Sequence, residues 1–328
     1  MLFDYFEDQN LPQTPILSVW LLTFNHRNFF ENSIQSILAQ KTNFDYEIVI
    51  GDDCSIDGTR ELVLKYYKSN SSKVRLILSK KNYWKQLGPA LSLELYKSCR
   101  GTYIATCEGD DYWTDPYKLQ KQVDYLEANP HVSCCATDFD QINKVGVFEK
   151  NPEPYPSIVK LNSEDVMRSR WSPTQTCTVV FKRGLLNPTP EFFYDKLIYC
   201  GDWALVCLFS TKGEVHILPD TTATKRMDAD GIWSSKSNLL NAYRLICFSS
   251  RMPRYLPTKY KLHFYQNLVR EIPSFLEQLI YLKSFTESAY FIFSLLKIPI
   301  QISFIPSIVK TFFIILLNTF RMRSITFQ

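Results

Sequence analysis

Three groups of acidic residues stand where carboxylates could meet a ligand. They are Gly51-Asp52-Asp53-Cys54-Ser55-Ile56-Asp57-Gly58-Thr59, Glu108-Gly109-Asp110-Asp111-Tyr112-Trp113 and Cys200-Gly201-Asp202-Trp203. The first two groups directly follow short apolar segments. Because an ionised carboxylate is costly to desolvate unless it is paired, adjacent acids at such positions indicate binding or catalysis more than a requirement of folding.

The second group suits a hard divalent cation. Mg²⁺ and Mn²⁺ prefer carboxylate oxygens and complete their coordination with substrate phosphates. Glu108, Asp110 and Asp111 supply three carboxylates within four residues. Gly109 removes side-chain bulk between them, which would let a diphosphate approach the backbone. The alternative is a plain acidic turn ahead of a helix that begins near Pro116.

The other two groups each have a binding and a structural interpretation. Asp53 is placed to accept hydrogen bonds from the base or ribose of a nucleotide. Asp57 and Gly58 favour a turn and a cap for the helix that follows. Asp202 precedes an apolar run, so it is either a general base that takes a hydroxyl proton or the N-cap of a helix.

Strands and helices are predicted to alternate around these groups. Apolar periodicity predicts strands at 16–22, 46–50, 74–78, 103–107 and 132–137, and helices at 29–40, 59–69, 89–98 and 116–129. This alternation is typical of an α/β fold with a mostly parallel sheet flanked by helices. Ligands of such sheets bind at the carboxyl ends of the strands, where the first two acidic groups are expected.

Taken together, the motifs resemble the family 2 glycosyltransferases of the GT-A fold, a Rossmann-like α/β architecture. The resemblance is clearest over about residues 14 to 130 and continues more faintly to about 235. Its motifs are Thr23-Phe24-Asn25, Asp52-Asp53 through Thr59, Arg100-Gly101-Thr102-Tyr103-Ile104, and Glu108 through Trp113 with Pro116-Tyr117-Lys118-Leu119. The resemblance implies a metal-dependent, inverting transfer of a sugar from a nucleotide diphosphate donor, expected to be UDP-linked.

The resemblance also implies roles for residues of the donor site. Thr23 and Asn25 are expected beside the nucleotide, with Asp53 at its base or ribose. Glu108 and Asp110 stand where the family carries its Asp-x-Asp motif for Mn²⁺ or Mg²⁺, and Asp111 is expected in the same site. Glu in place of the first Asp lengthens the reach, so Asp110 is the better candidate ligand.

On the acceptor side, Asp202 matches the catalytic base of the family. Arg226 is expected to neutralise the leaving diphosphate, because guanidinium pairs well with phosphate oxygens. Asp228 departs from the family, which often has His at this position. Trp171 lies where the family shapes its acceptor pocket, and it is interpreted either as a stacking surface for a sugar ring or as ordinary core.

The last quarter of the 328-residue chain differs from the rest in charge. Residues 241–328 carry eleven Lys and Arg against three acids, a net charge of +8, whereas residues 1–240 carry a net charge of −4. We therefore predict a GT-A domain at 1–240, with a nucleotide-sugar half at 14–130 and an acceptor half at 131–240. Residues 241–328 are predicted to form a basic, apolar helical appendage.

The appendage has two interpretations. From about Tyr290 it is rich in Phe and Ile, but Lys297, Pro299, Pro306 and Lys310 interrupt it before a run of about twenty apolar residues is reached. This composition suits a helix in the interface of an anionic membrane. The alternative is packing onto the catalytic domain or a second subunit. We expect a cytoplasmic protein at the inner face of the cytoplasmic membrane.

Cysteine and histidine usage is consistent with that location. Nine cysteines are scattered without a Cys-x-x-Cys pair, which favours a reducing compartment. Four histidines lie far apart in sequence and show no zinc-type spacing, so they are interpreted as ordinary surface or core residues.

Two other functions compete with sugar transfer to a glycan or lipid-linked acceptor. A sugar nucleotidyltransferase would be expected to place a Gly-rich basic loop after the first strand, where this chain has Thr23-Phe24-Asn25-His26. A non-catalytic nucleotide-sugar-binding module would account for Glu108 and Asp228 as signs of lost chemistry. Nucleic-acid binding is disfavoured because the part that carries the ligand loops is net acidic.

Overall fold

The computed structural model describes residues 2–9, 11, 14–83, 89–143, 145–227 and 238–280. Two compact units divide them. The first comprises the described residues of 1–196 and 201–234, and the second comprises Leu197–Cys200 and the described residues from 238 onwards. The nucleotide-sugar role of residues 14–130 and the acceptor role of residues 131–240 stay predictions.

Four parallel strands form the centre of the first unit. They are β2 (Leu17–Thr23), β3 (Tyr46–Asp52), β4 (Val74–Ser79) and β5 (Tyr103–Glu108), in the order β4-β3-β2-β5. The helices between and after them are α1 (Phe30–Leu38), α2 (Thr59–Ser69), α3 (Ala90–Ser98) and α4 (Lys118–Ala128). The α/β alternation predicted from periodicity is confirmed. Every residue of β3 is buried, as expected for a strand covered on both faces.

The remaining strands make the sheet mixed. They are β1 (Phe3–Phe6), β6 (Tyr112–Trp113), β7 (Val132–Ile142), β8 (Phe148–Glu149), β9 (Val159–Leu161), β10 (Val180–Lys182) and β11 (Glu214–Arg226), and they complete an 11-stranded sheet. The short β10 lies between β5 and β7 and is antiparallel to both. As a result β7, and β11 parallel to it, run in the same direction as β5. Two further helices of this unit are α5 (Ser163–Arg168) and α6 (Gly201–Ser210).

The second unit contains a pair of helices, α7 (Asn238–Arg251) and α8 (Lys261–Ile280). Ile246 and Cys247 of α7 pack with Leu268, Ile272 and Phe275 of α8 in one buried apolar cluster. Among the described residues, no helix is both long and apolar enough to cross a membrane. The predicted membrane-surface segment from about residue 290 lies outside the described residues.

Candidate active site

The carboxyl ends of β2, β3 and β5 lie side by side. In the parallel register, Thr23 of β2 is opposite Asp52 of β3, and Leu22 is opposite Glu108 of β5. The loops that follow are joined by backbone hydrogen bonds, from Asp53 N to Thr23 O at 3.1 Å and from Gly109 N to Leu22 O at 2.8 Å. Both acidic loops therefore border the same strand end.

Gly109 is required by close packing between these loops. A Cβ atom at this position would lie 2.6 Å from Thr23 Oγ1 and 2.8 Å from His26 Nδ1, distances well inside van der Waals contact. The expectation that Gly109 mainly makes room for a diphosphate is thus incomplete. Its first effect is to let the acidic loop lie against Thr23 and His26.

The carboxylates of Glu108, Asp110 and Asp111 form one cluster. An oxygen from each lies within 4.8 Å of the others. Burial, followed by the charges of Asp110 and Asp111, raises the pKa of Glu108 well above its ordinary value. Burial and the charge of Asp110 raise the pKa of Asp111 to about 7. Carboxylates that raise one another's pKa in this way fit a hard divalent cation.

Several buried polar atoms beside this cluster make no hydrogen bond within the described part of the chain. Thr23 Oγ1, His26 Nδ1 and Arg226 Nε are among them. His26 Nδ1 also lies 3.9 Å from an Asp110 carboxylate oxygen. Unsatisfied buried polar atoms at one place are typical of a site that binds a polar ligand.

His26 is a site residue that the sequence interpretation missed. It was expected to be an ordinary histidine because no other histidine lies near it in sequence. The signal that could have found it is its place directly after Thr23 and Asn25, in the loop that closes β2.

Asn25 and Asp53 are both fixed by hydrogen bonds in the structure. Asn25 has a left-handed backbone with φ of 56°, which Asn tolerates better than most residues. Its backbone N–H donates to Ser55 Oγ at 2.9 Å, and its Oδ1 accepts from the Ile56 N–H at 3.0 Å. Asp53 is 7% exposed and accepts from the Tyr83 N–H at 3.2 Å. Asn25 thus ties the loop after β2 to the loop after β3.

The other acids of the first group have structural partners. Asp52 is fully buried and pairs with Arg60 Nε at 2.6 Å. Asp57 accepts from the Thr59 N–H at 3.0 Å and from the Arg27 N–H at 2.9 Å. The predicted turn and helix-start role of Asp57 is therefore seen, one residue before the N-cap position held by Gly58.

Asp111 and Arg226 connect the acidic loop to the end of β11. The Arg226 N–H donates to Asp111 Oδ1 at 2.8 Å. The Arg226 guanidinium lies over two aromatic rings, 4.9 Å from the Phe29 centroid and 5.4 Å from that of Tyr112. Stacking of this kind orients the guanidinium plane while leaving its N–H groups available to an anion. Asp228 lies outside the described residues.

Asp202 is the second residue of α6, inside its first turn rather than at the N-cap. Its side chain is accessible to solvent, but the protein around it raises the pKa of its carboxyl by desolvation. The Trp203 N–H and the charge of Lys225 oppose that rise. The charge of Asp202 contributes in turn to the raised pKa of Glu108. The expected base and the expected metal site therefore lie within electrostatic range of each other.

Lys225 is a second residue that the sequence interpretation missed. Its positive charge lowers the pKa of Glu108, Asp111 and Asp202. Its Nζ donates to Gln175 Oε1 at 2.7 Å, which fixes the end of the side chain. Nothing in the local sequence marks Lys225, because its position depends on where β11 joins the sheet.

Trp171 is half exposed, so its interpretation as ordinary core is wrong. The Arg170 guanidinium lies 5.9 Å from the centre of its ring. Its interpretation as a stacking surface for a sugar ring stays a prediction.

Comparison with known proteins decides the family. Residues 18–183, half of the chain, match the family described as Glycosyl transferase family 2. The chain belongs to this family. The matched range contains the acidic groups after β3 and β5, whereas Asp202, Lys225 and Arg226 lie beyond it.

Two relatives illustrate what this member of family 2 is similar to. It is 31% identical to Rv1520 of Mycobacterium tuberculosis over 67% of its own length and 61% of that protein, so it spans less than two thirds of this relative. It is 30% identical to the UDP-Glc:alpha-D-GlcNAc-diphosphoundecaprenol beta-1,3-glucosyltransferase WfaP of Escherichia coli, over 42% of this chain and 53% of that one.

A solved structure confirms the GT-A fold of this family 2 glycosyltransferase. TarS 1-349 of S. aureus, crystallised in complex with UDP-GlcNAc, superposes with a TM-score of 0.55. The superposition covers 78% of this chain and 71% of that one at 19% sequence identity. At this identity the similarity concerns the fold alone.

Proposed function

We propose that the protein transfers a sugar from a UDP-linked donor to a hydroxyl group of a glycan or lipid-linked acceptor, with inversion at the anomeric carbon. The observation that supports this most directly is the convergence of one carboxylate cluster, Asp202 and Lys225 at a single edge of the sheet. The names of WfaP and of the TarS complex, with UDP-Glc and UDP-GlcNAc, favour a UDP-sugar donor.

On the donor side, Thr23, Asn25 and Asp53 would contact the nucleoside. Asp110 and Glu108 would hold Mn²⁺ or Mg²⁺, with Asp111 beside them. When bound, such a cation supplies charge neutralisation for the diphosphate as it leaves. Arg226, oriented by its aromatic neighbours, would donate hydrogen bonds to the phosphate oxygens.

On the acceptor side, Asp202 would act as the general base. The acceptor oxygen forms a bond to the anomeric carbon, its proton passes to the Asp202 carboxylate, and the bond from that carbon to the nucleotide diphosphate breaks. Attack from the face opposite the leaving group inverts the configuration. Lys225 would keep Asp202 ionised by lowering its pKa.

The setting that fits this reaction is the inner face of the cytoplasmic membrane, in the assembly of a surface polysaccharide. The acceptor in the name of WfaP is linked to diphosphoundecaprenol, and the basic residues 241–328 suit an anionic lipid surface.

Release of UDP from UDP-sugars, measured with and without Mn²⁺, tests the proposal. Asp110→Asn and Asp202→Asn are each expected to lower turnover at least ~100-fold. Asp124→Asn, an exposed acid on α4, is the matched control and is expected to keep wild-type turnover. Asp202→Asn should bind UDP like the wild type. Asp110→Asn should lose the part of UDP binding that depends on Mn²⁺. Unchanged turnover in both variants would refute the site, and UDP binding without any turnover by the wild type would favour the binding module.

A further inference from the structure

A second cluster of possible metal ligands lies where β7 and β11 begin. His131 directly precedes β7, and Glu214 and His216 begin β11. One ligand atom from each of the three lies within 4.8 Å of the others. Because β11 runs up to about 40 Å from Glu214 to Arg226 at roughly 3.3 Å per residue, this cluster is remote from the carboxylates near Arg226.

The fold brings these residues together independently of any ligand. Parallel pairing of β7 with β11 sets Glu214 opposite Val132 and His216 opposite Cys135. The Glu214 N–H also donates to His131 O at 3.2 Å. Gly213 makes this approach possible, since a Cβ there would lie 2.5 Å from His131 O. The backbone of all three residues is thus fixed before any cation binds.

The buried member of the cluster is held from both sides. His216 is 1% exposed, with Nε2 at 2.7 Å from Glu214 Oε2 and Nδ1 at 2.7 Å from the Tyr125 hydroxyl. His131 Nε2 lies 3.8 Å from the same Glu214 oxygen. A metal-binding histidine characteristically has its second ring nitrogen held by such a partner.

We propose that His131, Glu214 and His216 bind one late first-row divalent cation of the zinc type. Two imidazoles and one carboxylate suit Zn²⁺ or Co²⁺ and not Mg²⁺, which prefers oxygen ligands alone. In this arrangement His216 Nε2 would face the cation, while Nδ1 keeps its hydrogen bond with the Tyr125 hydroxyl.

The cation would fix the turn between α6 and β11. α6 begins with Gly201 and Asp202, and it is joined through Gly213 to the strand that ends in Lys225 and Arg226. Lys160 on β9 is paired with His216 in the sheet, and its charge acts on Glu214. That charge opposes a divalent cation and so provides an independent test of the site.

Titration of the full-length, chelator-treated protein with Co²⁺, followed by displacement with Zn²⁺, tests the inference. The wild type is expected to show the visible absorption of a histidine-ligated Co²⁺ centre at one equivalent. His131→Gln and Glu214→Gln, both at solvent-accessible positions, should each weaken binding more than ~10-fold, and Tyr125→Phe should weaken it roughly 10-fold. Lys160→Gln should tighten binding by roughly two- to fivefold, because a repulsive charge is removed.

Two controls separate this site from others. His263→Gln, on α8, and Asp110→Asn, in the carboxylate cluster, should leave the absorption unchanged. Zn²⁺ at about 100 times its dissociation constant should raise the melting temperature of the wild type by roughly 5 to 10 °C, and that of Glu214→Gln by much less. Absence of the absorption in the wild type, its loss in Asp110→Asn, or its persistence in both His131→Gln and Glu214→Gln would overturn the inference.

Discussion

Lys225 balances the negative charge that Glu108, Asp111 and Asp202 place in one region. Its replacement by Gln should raise the pKa of Asp202, because the charge of Lys225 now lowers it. A general base acts as the ionised carboxylate, so the acidic limb of the kcat/KM profile should move up by roughly half a unit to one unit. Lys225→Arg should restore the limb and exposed Lys121→Gln should not move it. A pH profile of kcat/KM that is unchanged in Lys225→Gln would show that the charge of Lys225 does not act on the general base.

The raised pKa of Asp111 predicts how Mn²⁺ binding depends on pH. A cation needs deprotonated carboxylates, and the pKa of Asp111 lies at about 7 in the absence of metal. Affinity measured by calorimetry should therefore rise roughly 10-fold from pH 6 to pH 8. Asp111→Asn should bind more weakly and with a flatter pH dependence. An affinity independent of pH in the wild type would contradict the clustered charge.

At the scale of single residues, the sequence predicts the acids but not the positive charge of Lys225 that acts on them. Glu108, Asp110 and Asp53 could be located because they follow apolar strands directly, and a strand end is where a parallel sheet presents its ligands. Lys225 could not, since its proximity to Asp111 depends on where β11 joins the sheet, whereas His26 could have been located from its place directly after Thr23 and Asn25. Acids that follow a strand directly can be located from the sequence, whereas Lys225 is brought to the site by strand pairing alone.

Among the elements, β5 positions the site, and glycines at both of its ends let it lie close to β2. A Cβ at Gly101 would lie 2.5 Å from the backbone nitrogen of Ser18, whereas at Gly109 it would meet mainly the side chains of Thr23 and His26. A side chain can move and a buried strand backbone cannot. Gly109→Ala should therefore cost about 1–3 kcal/mol of unfolding free energy and weaken Mn²⁺ binding, while Gly101→Ala should cost more than that.

Urea denaturation with a matched control measures these costs. Gly184→Ala is the control, since a Cβ there would meet no atom within 4 Å, and it should stay within about 0.5 kcal/mol of the wild type. Equal stability of Gly101→Ala and Gly184→Ala would show that β5 is free to shift against β2.

The elements of the first half could be predicted closely, whereas in the second half the start of β7 at Val132 could be predicted and several short strands could not. Helix α2 begins and ends at the predicted residues 59 and 69, because its amphipathic pattern is bounded by turn residues. By contrast, β10 has three residues and lies between β5 and β7. A strand this short has no periodicity of its own, so its antiparallel insertion follows from packing alone.

For the whole molecule, the distribution of charge separates the parts. Residues 1–240 are net acidic and contain every residue proposed to bind the donor, while residues 241–328 are net basic. An acidic catalytic part gains nothing from an anionic lipid surface, so any attraction must come from the basic part. Membrane association therefore stays a prediction, and removing charges from the basic part tests it.

Sedimentation of the full-length protein with lipid vesicles makes that test. Binding is expected to vesicles rich in phosphatidylserine and not to those of phosphatidylcholine, and it should weaken as salt shortens the range of the attraction. Neutralising Lys310, Arg321 and Arg323 together to Gln should weaken binding roughly 100-fold, at about 1 kcal/mol for each charge. The matched triple variant, Lys65→Gln with Lys68→Gln and Lys212→Gln, removes three exposed charges from the acidic part and should bind like the wild type. If both triple variants lost binding equally, net charge alone would be responsible. If neither did, the basic segment would have to cover another protein surface instead.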